Sequence, residues 1–126
     1  REQKNAIVEI DRLVKLEALS PSHFHRFLQA DNIGCFAEAM NRLTGIGYHT
    51  ALNIYKKRDV DSLALVMKAL DAPLPLFPTV AAYVAGKNDA INLVSEYAGV
   101  YREVSSDAAA RALRFWKVRG ATARAA

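Results

Sequence analysis

Apolar residues recur along this chain at i, i+3, i+4 and i+7, the spacing that gathers one stripe on a helix face. Phe36, Ala39, Met40 and Leu43 follow the template, as do Tyr48, Ala51, Leu52 and Tyr55. It returns at Leu63, Val66, Met67 and Leu70, and again at Ala109, Ala112, Leu113 and Trp116. No two-residue alternation bounded by hairpin turns interrupts it, so strands are not expected.

Turn and cap residues divide the chain into about eight helices. The first is predicted from Glu2 to Ala18, with Ile7, Ile10, Leu13 and Val14 inward. Ser20-Pro21 offers an N-cap followed by proline at the first helical position, opening a short helix to Gln29 that carries Phe24, Phe27 and Leu28. The third is predicted over Ile33–Thr44 and ends at Gly45, which tolerates the left-handed conformation of a helix C-terminus. The fourth spans Tyr48 to Lys57. Asp59 caps the fifth, which reaches Leu70 and ends before Pro73. The sixth begins between Pro75 and Pro78 and stops at Gly86. Asn88 caps the seventh, which runs to Val104. Ser105 or Ser106 caps the eighth, expected to end before Gly120 and leave residues 121–126 as a frayed tail.

Isolated helices this short are unstable in water, so their stripes must bury against one another. With short joints, successive helices are expected to pack as antiparallel neighbours. Phe36 and Leu63, equivalent stripe positions two helices apart, are separated by 27 residues, which is a helix-pair interval. The expected fold is all-α: a HEAT/armadillo-like stack of short antiparallel helix pairs, with residues 1–120 forming one domain. The chain opens at Arg1 rather than methionine, so the domain is expected to belong to a longer protein.

Composition narrows the setting. At 52% hydrophobic residues, 126 positions suffice for a real core, and no apolar run approaches the ~18 residues of a membrane span. The single cysteine, Cys35, excludes an internal disulfide and fits a reducing cytoplasm. Residues 1–99 carry 11 Lys/Arg against 11 Asp/Glu, and residues 100–126 carry six against two, so the whole net charge of +4 lies at the C-terminal end. Such a bias attracts acidic partners or nucleic acid. The plainer explanation is a solvated last helix whose cations suit its dipole.

Few residues suggest chemistry. The stretch LTGIGYHTAL, residues 43–52, has the outline of a helix-turn-helix, in which His49, Asn53, Lys56, Lys57 and Arg58 would face nucleic acid. Asn41, four residues before the turn glycine, stands where such motifs need a small side chain, and Tyr48 and Tyr55 lie on the apolar stripe. A structural hairpin is therefore the leading expectation. Gly45-Ile46-Gly47 lacks the preceding strand and further motif of a phosphate loop. In HFHRF, His23 and His25 point about 200° apart on a helix and cannot share a metal ion, so both are expected at the surface with Phe24 and Phe27 inward. Cys35 has no legible partner for nucleophilic work and reads as a small buried hydrophobe. No paired carboxylates and no Ser/His/Asp pattern stand out, so an enzyme is not expected, nor a cofactor or metal.

On the last helix, Arg111, Arg114 and Lys117 form a slowly turning basic row, with Phe115, Val118 and Arg119 close by. An apolar residue outside the core stripe faces either a partner or the seventh helix. These six are the candidate partner-binding residues.

The order of parts between residues 18 and 85 resembles a bacterial family catalogued as domain of unknown function 2336. The resemblance rests on the Leu19-Ser20-Pro21 helix start and on Phe36-x-x-Ala39-x-x-x-Leu43-x-Gly45. A helix ending near Tyr55 follows, then an Asp-led Leu63…Ala69-Leu70 helix, then proline and Phe77. It implies a HEAT-type helical superhelix and a bacterial cytoplasmic setting, and it implies no reaction. The expected function is a non-enzymatic protein-interaction or scaffold module, with a protein partner that could be a second copy of the chain. Nucleic-acid binding through the basic last helix or the residue 49–58 set is the alternative.

Overall fold

A computed structural model describes residues 2–86 and 90–125. Among the described residues there are eight helices and no strand. They are α1 (Glu2–Lys15), α2 (Ser22–Gln29), α3 (Ile33–Thr44), α4 (Tyr48–Lys56), α5 (Val60–Ala69), α6 (Leu76–Ala85), α7 (Ala90–Glu103) and α8 (Ser106–Ala125).

Caps account for most of the boundaries. Asp59 accepts from the Ser62 amide at 3.0 Å and from the Ser62 hydroxyl at 2.6 Å, fixing the start of α5. Asn32 does the same for α3 through the Cys35 amide, and Ser105 caps α8 through the amide of Ala108. At α2 the roles are altered. The Ser20 side chain does not cap; its backbone N–H donates to His23 Nδ1 at 3.2 Å, the reach-back half of a capping box. Asn88, expected to cap α7, lies outside the described residues.

Four helix ends are closed by a residue other than glycine. Glu17, Asp31, Arg58 and Asp71 all adopt the left-handed conformation, with φ of 53–56°. Each follows a helix and closes a Schellman motif, as in Asn32 N–H to Phe27 C=O and Asp59 N–H to Ile54 C=O. These motifs stop α1 at Lys15, short of the expected Ala18, and seat α2, α4 and α5 within a residue or so of expectation. At the other end, α8 continues through Gly120 to Ala125 instead of stopping before it. One glycine costs about 1 kcal/mol in a helix, too little to break a run rich in alanine and arginine.

α3 and α6 are the two central helices. α3 packs against α1, α2 and α4, and α6 against α2, α4, α5 and α7. Short helices resting on near neighbours in this way fit a HEAT-like stack. Two neighbours differ from expectation: α1 packs on α3 and α8 on α5, each skipping the adjacent helix. Every residue from Gly34 to Met40 is buried, so α3 is covered all round and not along one stripe only. Phe24 meets Phe36 edge-on at 5.5 Å, and Phe77 stacks on Tyr101 at 4.9 Å. On α1, Ala6 and Ile10 are buried and Leu13 packs against the core as expected, whereas Val14, expected inward, is 44% exposed.

One polar network crosses this core. Glu38, 3% exposed, accepts from Arg42 Nε at 2.7 Å and from Asn41 Nδ2 at 3.4 Å. Arg42 also pairs with Asp11 on α1 at 2.6 Å. Burial opposes the Arg42 charge, but Asp11 and Glu38 outweigh it and raise the guanidinium pKa. Asn41 Oδ1 then accepts from the Gly47 amide at 2.9 Å, so the chain of contacts runs from α1 through α3 into the next turn.

Candidate functional site

The α3–α4 turn is built from Gly45, Ile46 and Gly47. Both glycines have positive φ, at 79° and 98°, and Ile46 is fully buried between them. The turn also accounts for Asn41. It is not crowding the helix crossing; its side chain and carbonyl hold the Gly47 and Gly45 amides. A Cβ added at Gly45 would stand 3.2 Å from Lys117 Cε, so the stem of that lysine crosses the turn. Lys117 is thereby drawn away from the outer basic row into contact with α3–α4.

On α4, His49, Asn53, Lys56 and Lys57 are exposed. His49 leans edge-on toward Tyr48 at 5.4 Å. Arg58 plays a structural part, because its Nη1 donates to Ala85 C=O at 2.6 Å and ties the start of α5 to the end of α6. Gly86 leaves room for that approach, since a Cβ there would run into the Arg58 guanidinium. All five residues grouped by sequence are therefore exposed, and Arg58 is a clamp as well.

On α8, Ala109 and Leu113 are buried, and Trp116 is half-buried against the core. Arg111, Arg114, Phe115 and Val118 repeat the i, i+3, i+4, i+7 template on the opposite side of the helix. Phe115 is 59% and Val118 65% exposed. The main packing partner of α8 is α5. The Arg119 guanidinium lies over the Phe115 ring at 5.6 Å.

Arg119 and Trp116 also look the other way. With Thr50, Asn53 and Lys57 of α4, and Asp59 and Ser62 at the head of α5, they line a groove of about 400 Å³. Members of both candidate sets, Asn53 and Lys57 from one and Arg119 from the other, thus meet in one place. Nothing in the sequence spacing joins positions 53 and 119; only the long return of α8 over α5 does so. Trp116, which the sequence pattern assigns to the core, escapes a functional reading for that reason.

A second groove, about 690 Å³, lies between α1, α2 and α3 and includes Glu9, Arg12, His23, Arg26, Asn32 and Cys35. His23 is buried at 8%, which corrects the surface placement expected for it, whereas His25 packs on the Tyr83 ring at 5.6 Å. The two imidazoles do point apart. Cys35 is buried at 3%, as expected. Burial, then Glu9, push its thiol pKa up, while an Asn32 hydrogen bond opposes. A thiolate nucleophile needs the reverse environment. Among the described residues no group of three His, Cys, Asp or Glu could hold a metal ion, and no helix is long and apolar enough to cross a membrane.

Short helices packed into one body, with open grooves and an uncovered basic-apolar helix face, define an all-α helical-stack domain. The chain belongs to the bacterial family described as "Uncharacterised protein conserved in bacteria" (DUF2336), which it matches over residues 2–114. The match extends the resemblance seen at residues 18–85 across α1 at one end and into the first half of α8 at the other. No curated protein and no solved structure matches the chain.

Proposed function

We propose that this domain is a non-enzymatic protein-interaction module of the bacterial cytoplasm, with the outer face of α8 as its contact surface. The observation that supports this most is Phe115, 59% exposed and flanked by Arg111, Arg114 and Arg119 on a helix whose other side is buried. A large aromatic with arginines at its edge is the composition of an interface hot spot. The complementary partner offers an apolar pocket with an acidic rim. Two copies meeting through α8 would set arginine against arginine, so a different protein is favoured.

The test is affinity capture from the native host with this chain as bait. Phe115→Glu and the double charge reversal Arg111→Glu/Arg114→Glu should each abolish recovery of the same partner, and Lys15→Glu on α1 should not. Unchanged recovery in both α8 variants would remove this face from the account.

Lys56 and Lys57 are exposed and stand outside the ion pairs formed among the described residues, which favours a second reading, nucleic-acid binding along α4. It predicts a gel shift at low salt whose affinity falls steeply as salt rises. That result, with α8 variants inert in the capture experiment, would replace the protein-binding reading.

A further inference from the structure

The groove between α4, the head of α5 and α8 shares Arg119 with the outer face of α8, but the rest of its lining is different. One wall carries Lys57, the other Arg119, and the half-buried Trp116 lines the space between. Asn53 and Thr50 add an amide and a hydroxyl from the α4 side. The one carboxylate present, Asp59, has both oxygens engaged by Ser62. Neither Lys57 nor Arg119 enters an ion pair among the described residues, so the lining of the groove carries two cations against one carboxylate. A space of about 400 Å³ lies in the range of small-molecule sites.

We propose that this groove binds a ligand of the mononucleotide class. The planar base lies on the Trp116 indole, since every base offers a π-face and stacking on an aromatic side chain needs no particular base edge. The phosphate sits between Lys57 and Arg119, where charge-assisted hydrogen bonds are strongest. The Asn53 amide can donate and accept at the base edge, as amides do toward adenine. A free phosphate meets only the cations, and a neutral nucleoside only the indole, so both parts are required for full affinity.

Trp116 is the only tryptophan in the chain, so its fluorescence reports on this groove directly. The purified full chain is titrated with AMP, adenosine and inorganic phosphate, exciting on the red edge of the indole band. Saturable quenching by AMP is expected. Adenosine, which forfeits both cation contacts, should bind about a hundredfold more weakly, and phosphate, which forfeits the stacked base, about tenfold more weakly. Lys57→Ala and Arg119→Ala should each weaken AMP by about tenfold on the same grounds, and Arg111→Glu/Arg114→Glu should leave it unchanged. Circular dichroism confirms that each variant is folded, and Arg119→Lys, which keeps the charge, should recover part of the affinity. Quenching that fails to saturate, or that persists in both Lys57→Ala and Arg119→Ala, overturns the proposal. So does binding of a single-stranded oligonucleotide with no response to AMP, which would assign the groove to a polymer. Because the α8 double variant separates the two surfaces, loss of partner capture with intact AMP quenching leaves this inference standing, and the converse leaves the other.

Discussion

Replacing Glu38 tests whether the buried polar network is organised as described. Glu38 is 3% exposed and holds Arg42 and Asn41, whereas the Arg42 side chain keeps 29% of its exposure and a second carboxylate, Asp11. The two ends of the pair are therefore unequal. Glu38→Ala leaves Arg42 with Asp11 and with water, so the cost falls below that of a stranded buried charge, at about 2–3 kcal/mol. Arg42→Ala strands the Glu38 carboxylate with only a long Asn41 contact, and the cost rises to about 3–5 kcal/mol. Glu38→Gln keeps the shape and one acceptor and should cost about 1 kcal/mol. For a domain of this size each kcal/mol lowers Tm by roughly 3–4 °C, so the three variants separate on a thermal melt. Urea unfolding with unchanged m-values gives the same order independently. If Glu38→Ala costs as much as Arg42→Ala, or if both cost less than about 1 kcal/mol, the asymmetry argued from burial is wrong.

Three other outcomes follow from particular contacts. Gly86→Ala places a Cβ on the Arg58 guanidinium at a position of φ +68° and should cost about 2 kcal/mol; in an Arg58→Ala background the same change should cost visibly less, measured as a double-mutant cycle. Cys35, Tyr48, Tyr97 and Tyr101 all have pKa values raised first by burial and then by nearby acids, from ordinary values of 9.0 for the thiol and 10.0 for the phenols. The unfolded chain therefore ionises these groups first, and the stability they contribute falls as pH rises through 9.0 and then 10.0. Urea midpoints should drop across that window, and Cys35→Ala should delay the onset; a rising midpoint would contradict the sign. Phe115→Glu should change stability by no more than about 0.5 kcal/mol, because the ring is largely in water, and a larger loss in urea unfolding would mean that α8 is packed differently.

How far the sequence foretells this structure depends on the kind of signal. The stripes on α3, α4, α5 and α8 are legible because period 3.6 is written in the apolar residues themselves. Gly45 and Gly86 mark helix ends because both need positive φ. Glu17, Asp31, Arg58 and Asp71 carry no such mark: their left-handed conformation is imposed by the Schellman bonds around them and costs about 1 kcal/mol each. Glu38 sits inside an apolar run, and its burial depends on Arg42 one turn on and Asp11 on another helix, a pairing no local window contains. The groove is the extreme case. Its walls come from positions 50–62 and 116–120, joined only when α8 folds back over α5. Phe115 is legible as an anomaly, since it stands off the stripe, but which neighbour fails to cover it depends on the packing partner of α8.

Two joints in this fold leave the backbone almost no slack. Asn32 closes the Schellman motif of α2 and caps α3 with its own side chain, and Asp59 does both for α4 and α5. To swing one of these helices against the next would tear the end of the first and the beginning of the second together. Each pair is therefore joined as one elbow, whose bend is written into the bonds of both helices at once.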